Sequence, residues 1–141
     1  MTVTSEATTA WHGGLFDGSG EVTFVSSGLG TFDVNWKARS EGSTSVTTPE
    51  ELIAAAHSSC FSMAFSLALA ENGTPPESID TTASVTFKPG TGITGSHLNV
   101  NAVVPGLDPE EFERLAQSAK AGCPVSQALA GVEITIEATL A

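Results

Sequence analysis

Cys60 lies in the middle of the stretch "TTPEELIAAAHSSCFSMAFSLALAENG", with His57, Ser58, Ser59 and Ser62 beside it, and Cys123 directly precedes Pro124 in "AGCPVSQAL". A buried cysteine on its own is usually a small hydrophobe. Two cysteines that meet in space can do more. A thiolate attacks a peroxide O–O bond and becomes a sulfenic acid, which the second thiol captures as a disulfide, whatever their separation in sequence. Cys123 falls at or next to the N-cap of a short helix, where unpaired backbone N–H groups and the helix dipole favour a thiolate; a small residue before Pro is also a common helix start. Cys60 needs help, because lowering a thiol pKa by two units takes about 2.7 kcal/mol of preferential anion stabilisation and burial pushes the other way. A cation must therefore approach it. Of five basic side chains only two are arginines, Arg39 and Arg114. Arg114 has Glu110 at i−4 and Glu111 at i−3, an ordinary surface pairing. Arg39 ends a predicted strand and introduces the loop "SEGSTSVTTPE" leading to the Cys60 helix, so it is the candidate, against the alternative of a solvated strand-end charge.

Two other functional classes stay open on the residues alone. His57 and Cys60 at i, i+3 with Cys123 suggest a zinc site, although His12 and His97 are too isolated to add a fourth ligand and no C-x-x-C or H-x-x-x-H spacing occurs. His57 reads better as a packed, satisfied core histidine. A non-catalytic dimeric domain with buried structural cysteines is the second alternative. No phosphate-binding Gly loop, G-x-S-x-G elbow or dinucleotide fingerprint is present, so no organic cofactor is expected.

The elements that must hold these groups follow from patterning. The 141 residues, 40% hydrophobic, suffice for one domain, 1–141, and composition gives no reason to divide it. Sixteen acidic against five basic side chains leave a formal charge of −11, which repels phosphate backbones and anionic lipid. Neither nucleic acid nor a membrane is an expected partner. "MTVTSEATTA" has no basic n-region or apolar h-region, which points to a cytoplasmic protein, where the glutathione pool argues against a purely structural disulfide.

The Cys60 helix is marked by Thr48 as N-cap, Pro49, and Glu51 closing a capping box, and it stops at Asn72–Gly73. Residues 52–70 raise the membrane question, but four serines, a histidine and acidic flanks favour a core helix. Apolar almost all round, it must be covered on every side, in part by a second subunit. Residues 11–16 and 21–25 read as a hairpin around "DGSG". "TFDVNWKAR" reads as one strand, with Phe32, Val34, Trp36 and Ala38 on one face. Residues 79–87 and 98–104 form a second hairpin across "PGTGITG". "LDPEEFERLAQSAKAG" is a helix with Asp108 as N-cap and Glu111 closing the box; "CPVSQAL" starts a short helix; "VEITIEATL" is a last strand. The predicted order is βββ-α-ββ-αα-β, an α+β domain on an antiparallel sheet.

"TPEELIAAAHSSCFSMAFSLAL" resembles the central helix of the OsmC/Ohr family of thiol-dependent organic hydroperoxide reductases, and "AGCPVSQAL" resembles its second cysteine motif. "AWHGGLFDGSG", the basic "WKARSEG" and the β-rich C-terminus also resemble the family, which therefore covers nearly the whole chain. "AAHSSC" and an arginine after the third strand are more like the OsmC branch than the Ohr branch, whose arginine sits nearer the N-terminus. The resemblance implies Cys60 as peroxidatic and Cys123 as resolving cysteine, Arg39 as the thiolate-stabilising cation, and Glu50 of "PEEL" as the carboxylate that orients it. Acids in a first helical turn are also routine dipole partners. It implies an intertwined homodimer with the long helices at its centre, an organic hydroperoxide as substrate, and an external dithiol reductant, lipoyl groups among the candidates. Glu50 and Cys60 are ten residues apart, about 15 Å along one helix; antiparallel central helices would instead bring Glu50 of one subunit to Cys60 of the other. An apolar pocket at that interface, lined in part by Phe61 and Phe65, would favour alkyl or fatty-acyl peroxides.

Overall fold

The computed structural model describes all 141 residues, Met1–Ala141. Two compact units divide the chain, Met1–Pro49 and Glu50–Ala141.

In the first unit, β1 (Ala7–His12), β2 (Ser19–Phe24) and β3 (Thr31–Val34) form an antiparallel sheet in the order β1-β2-β3. Trp11 faces Gly20 and Val22 faces Phe32. The predicted hairpin is present, but β1 ends at His12 rather than running through Phe16. Gly13 takes φ +89, and the Gly14 N–H donates to Asp17 Oδ1 at 2.9 Å, so the chain turns four residues earlier than expected. The single strand expected over "TFDVNWKAR" is also cut short. Asn35, in extended conformation, accepts the Ala38 N–H on its side chain at 2.8 Å and caps a short helix, α1 (Trp36–Glu41). Asn is a strong N-cap, and that bond is local enough to outweigh the period-two pattern. Arg39 therefore sits in the last turn of a helix, not at a strand end.

The second unit is built on α2 (Pro49–Glu71), 23 residues long. Its end is a Schellman turn: the Thr74 N–H reaches Leu69 O and the Gly73 N–H reaches Ala70 O, both at 3.0 Å, with Gly73 at φ +82. β4 (Ser78–Lys88) and β5 (Gly92–Val103) form the expected antiparallel hairpin, but β5 starts six residues before Leu98, inside the segment expected to be the turn. After α3 (Pro109–Gly122) and α4 (Pro124–Ala128), β6 (Glu133–Leu140) pairs with β5 in parallel, giving the order β4-β5-β6. The sheet is thus mixed rather than antiparallel throughout, because two helices carry the chain back before β6. With α1 added, the order is βββ-αα-ββ-αα-β, an α+β fold. Asp108 caps α3 as expected, but Glu111 pairs with Arg114 instead of closing the box.

By length and composition α2 is apolar enough to cross a membrane. Its His57, Phe61, Phe65 and Leu69, one turn apart, are instead fully buried in the protein. The three apolar ones pack with Leu98, Val100 and Ala102 of β5 and with Phe112, Leu115 and Ala116 of α3. Phe65 stacks at 5.4 Å from Phe61 and 5.5 Å from Phe112, centroid to centroid. Two serines of α2 bond back to its own carbonyls: Ser59 returns to Ala55 O, and Ser62 bonds Ser58 O as well as Thr81 Oγ1 of β4.

Candidate functional site

α2 and the α3–α4 junction bring Cys60 and Cys123 together across 63 residues of sequence. Both are free thiols, and Cys123 Sγ donates to Cys60 Sγ at 3.0 Å. Cys123 is the N-cap of α4, as its position before Pro124 predicts, and it is fully buried; Cys60 is half-buried. The two sulfurs differ in acidity. Burial, then the bond to Cys123, pushes the Cys60 thiol up. Burial also opposes ionisation of Cys123, but its thiolate is favoured by the neighbouring Cys60 and by Ser126 and Val125 at the start of α4, which together hold that thiol below its usual range.

His57 is the satisfied core histidine expected. Its Nδ1 meets Ser96 Oγ at 2.7 Å and its Nε2 meets Ser126 Oγ at 2.8 Å. With both ring nitrogens occupied, the His57–Cys60–Cys123 zinc set loses its nitrogen ligand. Burial holds the imidazole below its ordinary range, so it is neutral. The serines could not be found by spacing, since they lie 39 and 69 residues from His57.

Beside Cys60 lies an open apolar groove of about 500 Å³, lined by Cys60, Met63, Ala64, Leu67, Ser118 and Pro124 among others. Met63 and Leu67 are largely exposed. Phe61 and Phe65, expected in this pocket, do not line it. They point the other way on α2, into the core, because a helix rotates consecutive residues by about 100° and Cys60's neighbours on its own face are three and four residues away. Glu50, at the start of α2, is buried; it belongs with Cys60 to the Glu50–Ala141 unit, whereas Arg39 belongs to the Met1–Pro49 unit.

Residues 19–137 match the sequence profile of the family described as OsmC-like protein. The chain is 44% identical over 140 residues to Peroxiredoxin OsmC of Escherichia coli (strain K12), covering 97% of this chain and 96% of that one. Among solved structures, an organic hydroperoxide resistance protein from Elizabethkingia anophelis superposes with a TM-score of 0.71 at 28% identity, covering 100% of this chain and 97% of that one. An organic hydroperoxide resistance protein from Legionella pneumophila gives 0.67 at 28% identity, covering 99% and 98%.

Proposed function

The chain belongs to the OsmC family, and on that premise we propose that it is a thiol-dependent peroxidase that reduces organic hydroperoxides to alcohols in oxidative-stress defence. The observation that carries the reading is the pair of free thiols with sulfurs 3.0 Å apart. A disulfide needs about 2.0 Å, so roughly 1 Å of further approach closes it. The names of the relatives, peroxiredoxin and organic hydroperoxide resistance protein, support the substrate class.

In the proposed reaction the Cys60 thiolate attacks the distal oxygen of ROOH. The O–O bond breaks, Cys60 becomes a sulfenic acid, and the departing alkoxide takes a proton to become ROH. Cys123 then attacks the sulfenic sulfur, hydroxide leaves, and the Cys60–Cys123 disulfide forms. Cys60 is the less acidic sulfur of the pair, so the first step needs a positive charge. Arg39 is our candidate, on the scarcity of cations and the family resemblance. Glu50 orients it, from the partner subunit of a homodimer. An external dithiol, lipoyl groups among the candidates, reduces the disulfide, and no organic cofactor takes part. The open groove with Met63 and Leu67 would receive the alkyl tail. We propose further that residues 1–141 work as one domain in the cytoplasm.

The test is a titration of the reduced protein with one equivalent of cumene hydroperoxide, counting thiols under denaturing conditions and locating any bridge by mass spectrometry. Loss of two thiols with a Cys60–Cys123 link is expected. Survival of both would defeat the reading.

A further inference from the structure

His57 takes no part in the reaction above, yet it is fully enclosed, and its two hydroxyl partners are themselves buried. Ser96 lies on β5 and Ser126 on α4, three residues after Cys123. A neutral imidazole donates from one nitrogen and accepts at the other. Ser126 lies one turn after Cys123, the N-cap of the same helix, and its hydroxyl favours the Cys123 thiolate. A serine hydroxyl has a single proton, so its direction fixes the whole row. A hydroxyl favours a neighbouring thiolate only by donating to it. When Cys123 is ionised, the Ser126 hydroxyl therefore turns towards that sulfur and its oxygen accepts from His57 Nε2–H, 2.8 Å away. His57 Nδ1 then accepts from the Ser96 hydroxyl at 2.7 Å. Every proton of the row points towards Cys123, a polarity that stabilises charge on that sulfur when its own proton leaves.

We propose that the row Ser96–His57–Ser126 holds Cys123 as the nucleophile of the second half-reaction, with Ser126 one turn along the helix that Cys123 caps and His57 a positioning residue acting through it. The proposal rests on the two-cysteine reading above. In the step concerned, the Cys123 thiolate donates an electron pair to the sulfenic sulfur of Cys60 and the S–S bond forms. The S–O bond breaks, and hydroxide leaves with its pair and takes a proton from solvent.

Four variants test this: Ser126→Ala, Ser126→Thr, His57→Leu and His57→Gln, the last keeping a donor near the Nε2 position. Ultraviolet thiolate absorbance against pH, in a Cys60→Ser background, reads the ionisation midpoint of Cys123. Rapid-quench mass spectrometry on chains with both cysteines reads sulfenic acid formation and its conversion to disulfide. Loss of one charge-assisted bond should move the Ser126→Ala midpoint up by roughly one pH unit and slow disulfide formation roughly tenfold, with sulfenic acid formation unchanged. Ser126→Thr should restore both. His57→Leu should follow Ser126→Ala, and His57→Gln should follow the native protein. An unmoved midpoint and a normal disulfide rate in Ser126→Ala would reduce the row to core packing and overturn the proposal. Absence of any disulfide in the native chain would instead defeat the peroxidase reading and the nucleophile role with it. The midpoint shift would still decide separately whether the row stabilises a Cys123 thiolate.

Discussion

Phe65 separates two accounts of what α2 does, and replacing it tests them. Its ring is fully buried, with Phe61 and Phe112 at 5.4 and 5.5 Å. Truncating such a phenylalanine to alanine costs about 3–5 kcal/mol, transfer and cavity terms together. The two aromatic pairs supply about 0.5–1.5 kcal/mol each of the interactions lost. Taking about 4 kcal/mol against a urea dependence of about 2 kcal/mol per molar, the midpoint should fall by about 2 M. A domain of ordinary stability, about 5–15 kcal/mol, survives that loss if it starts above the lower end. Phe65→Leu, which keeps most of the apolar volume, provides a milder companion should the alanine variant be poorly folded. The assay is urea unfolding followed by tryptophan fluorescence and circular dichroism, together with the KM for cumene hydroperoxide on whatever fraction is folded. Both variants should lose stability, alanine more than leucine, with KM within about twofold of the native value, since less than about 0.5 kcal/mol of binding is at stake for a residue off the groove. An unchanged midpoint with a KM raised tenfold would refute the reasoning and return Phe65 to the substrate pocket.

Mixing subunits tests whether the site is shared between chains. A heterodimer of Cys60→Ser and Glu50→Gln subunits should regain one intact site if Glu50 acts across the interface. A random mixture would then recover roughly a quarter of the native sites, read as peroxidase activity above either parent; no recovery would place Glu50 and its Cys60 in the same chain. His57 also predicts a pH dependence of stability. Its folded pKa lies below the ordinary value, so between the two values the unfolded chain binds more protons than the folded one. Stability therefore falls as pH is lowered from about 6.5 towards the folded pKa. Urea midpoints across that range should show this slope in the native protein and lose that part of it in His57→Gln.

The long helix and the β4–β5 hairpin were legible because their signals are local. A Pro at the first helical position and Asn72–Gly73 at the end bracket α2, and clean alternation over Ile79–Phe87 and Leu98–Val104 marks the two strands. The pairing of Cys60 with Cys123 was reached through chemistry and family motifs rather than spacing. What escaped was decided either by one side chain or by distant partners. Asn35 turns a strand pattern into a helix through a single hydrogen bond, and so moves Arg39. Alternation in "EITIEATL" is the same for a parallel as for an antiparallel strand, and the direction of β6 is set by the chain path through α3 and α4. The inward aim of Phe61 and Phe65 depends on which face of an almost uniformly apolar helix meets β5, and an apolar pattern without a polar side does not say.

The parallel pairing of β5 with β6 bears on how a newly made chain acquires its two-thiol unit. Cys123 rides within the connection between those strands, ahead of β6. Chains emerge from the ribosome N-terminus first, and non-local parallel pairing is among the slower events of folding. Cys60 is thus translated before Cys123 exists to meet it. A nascent or truncated chain carries a lone thiol flanked by unburied apolar surface, and completing the sheet brings the second sulfur into place.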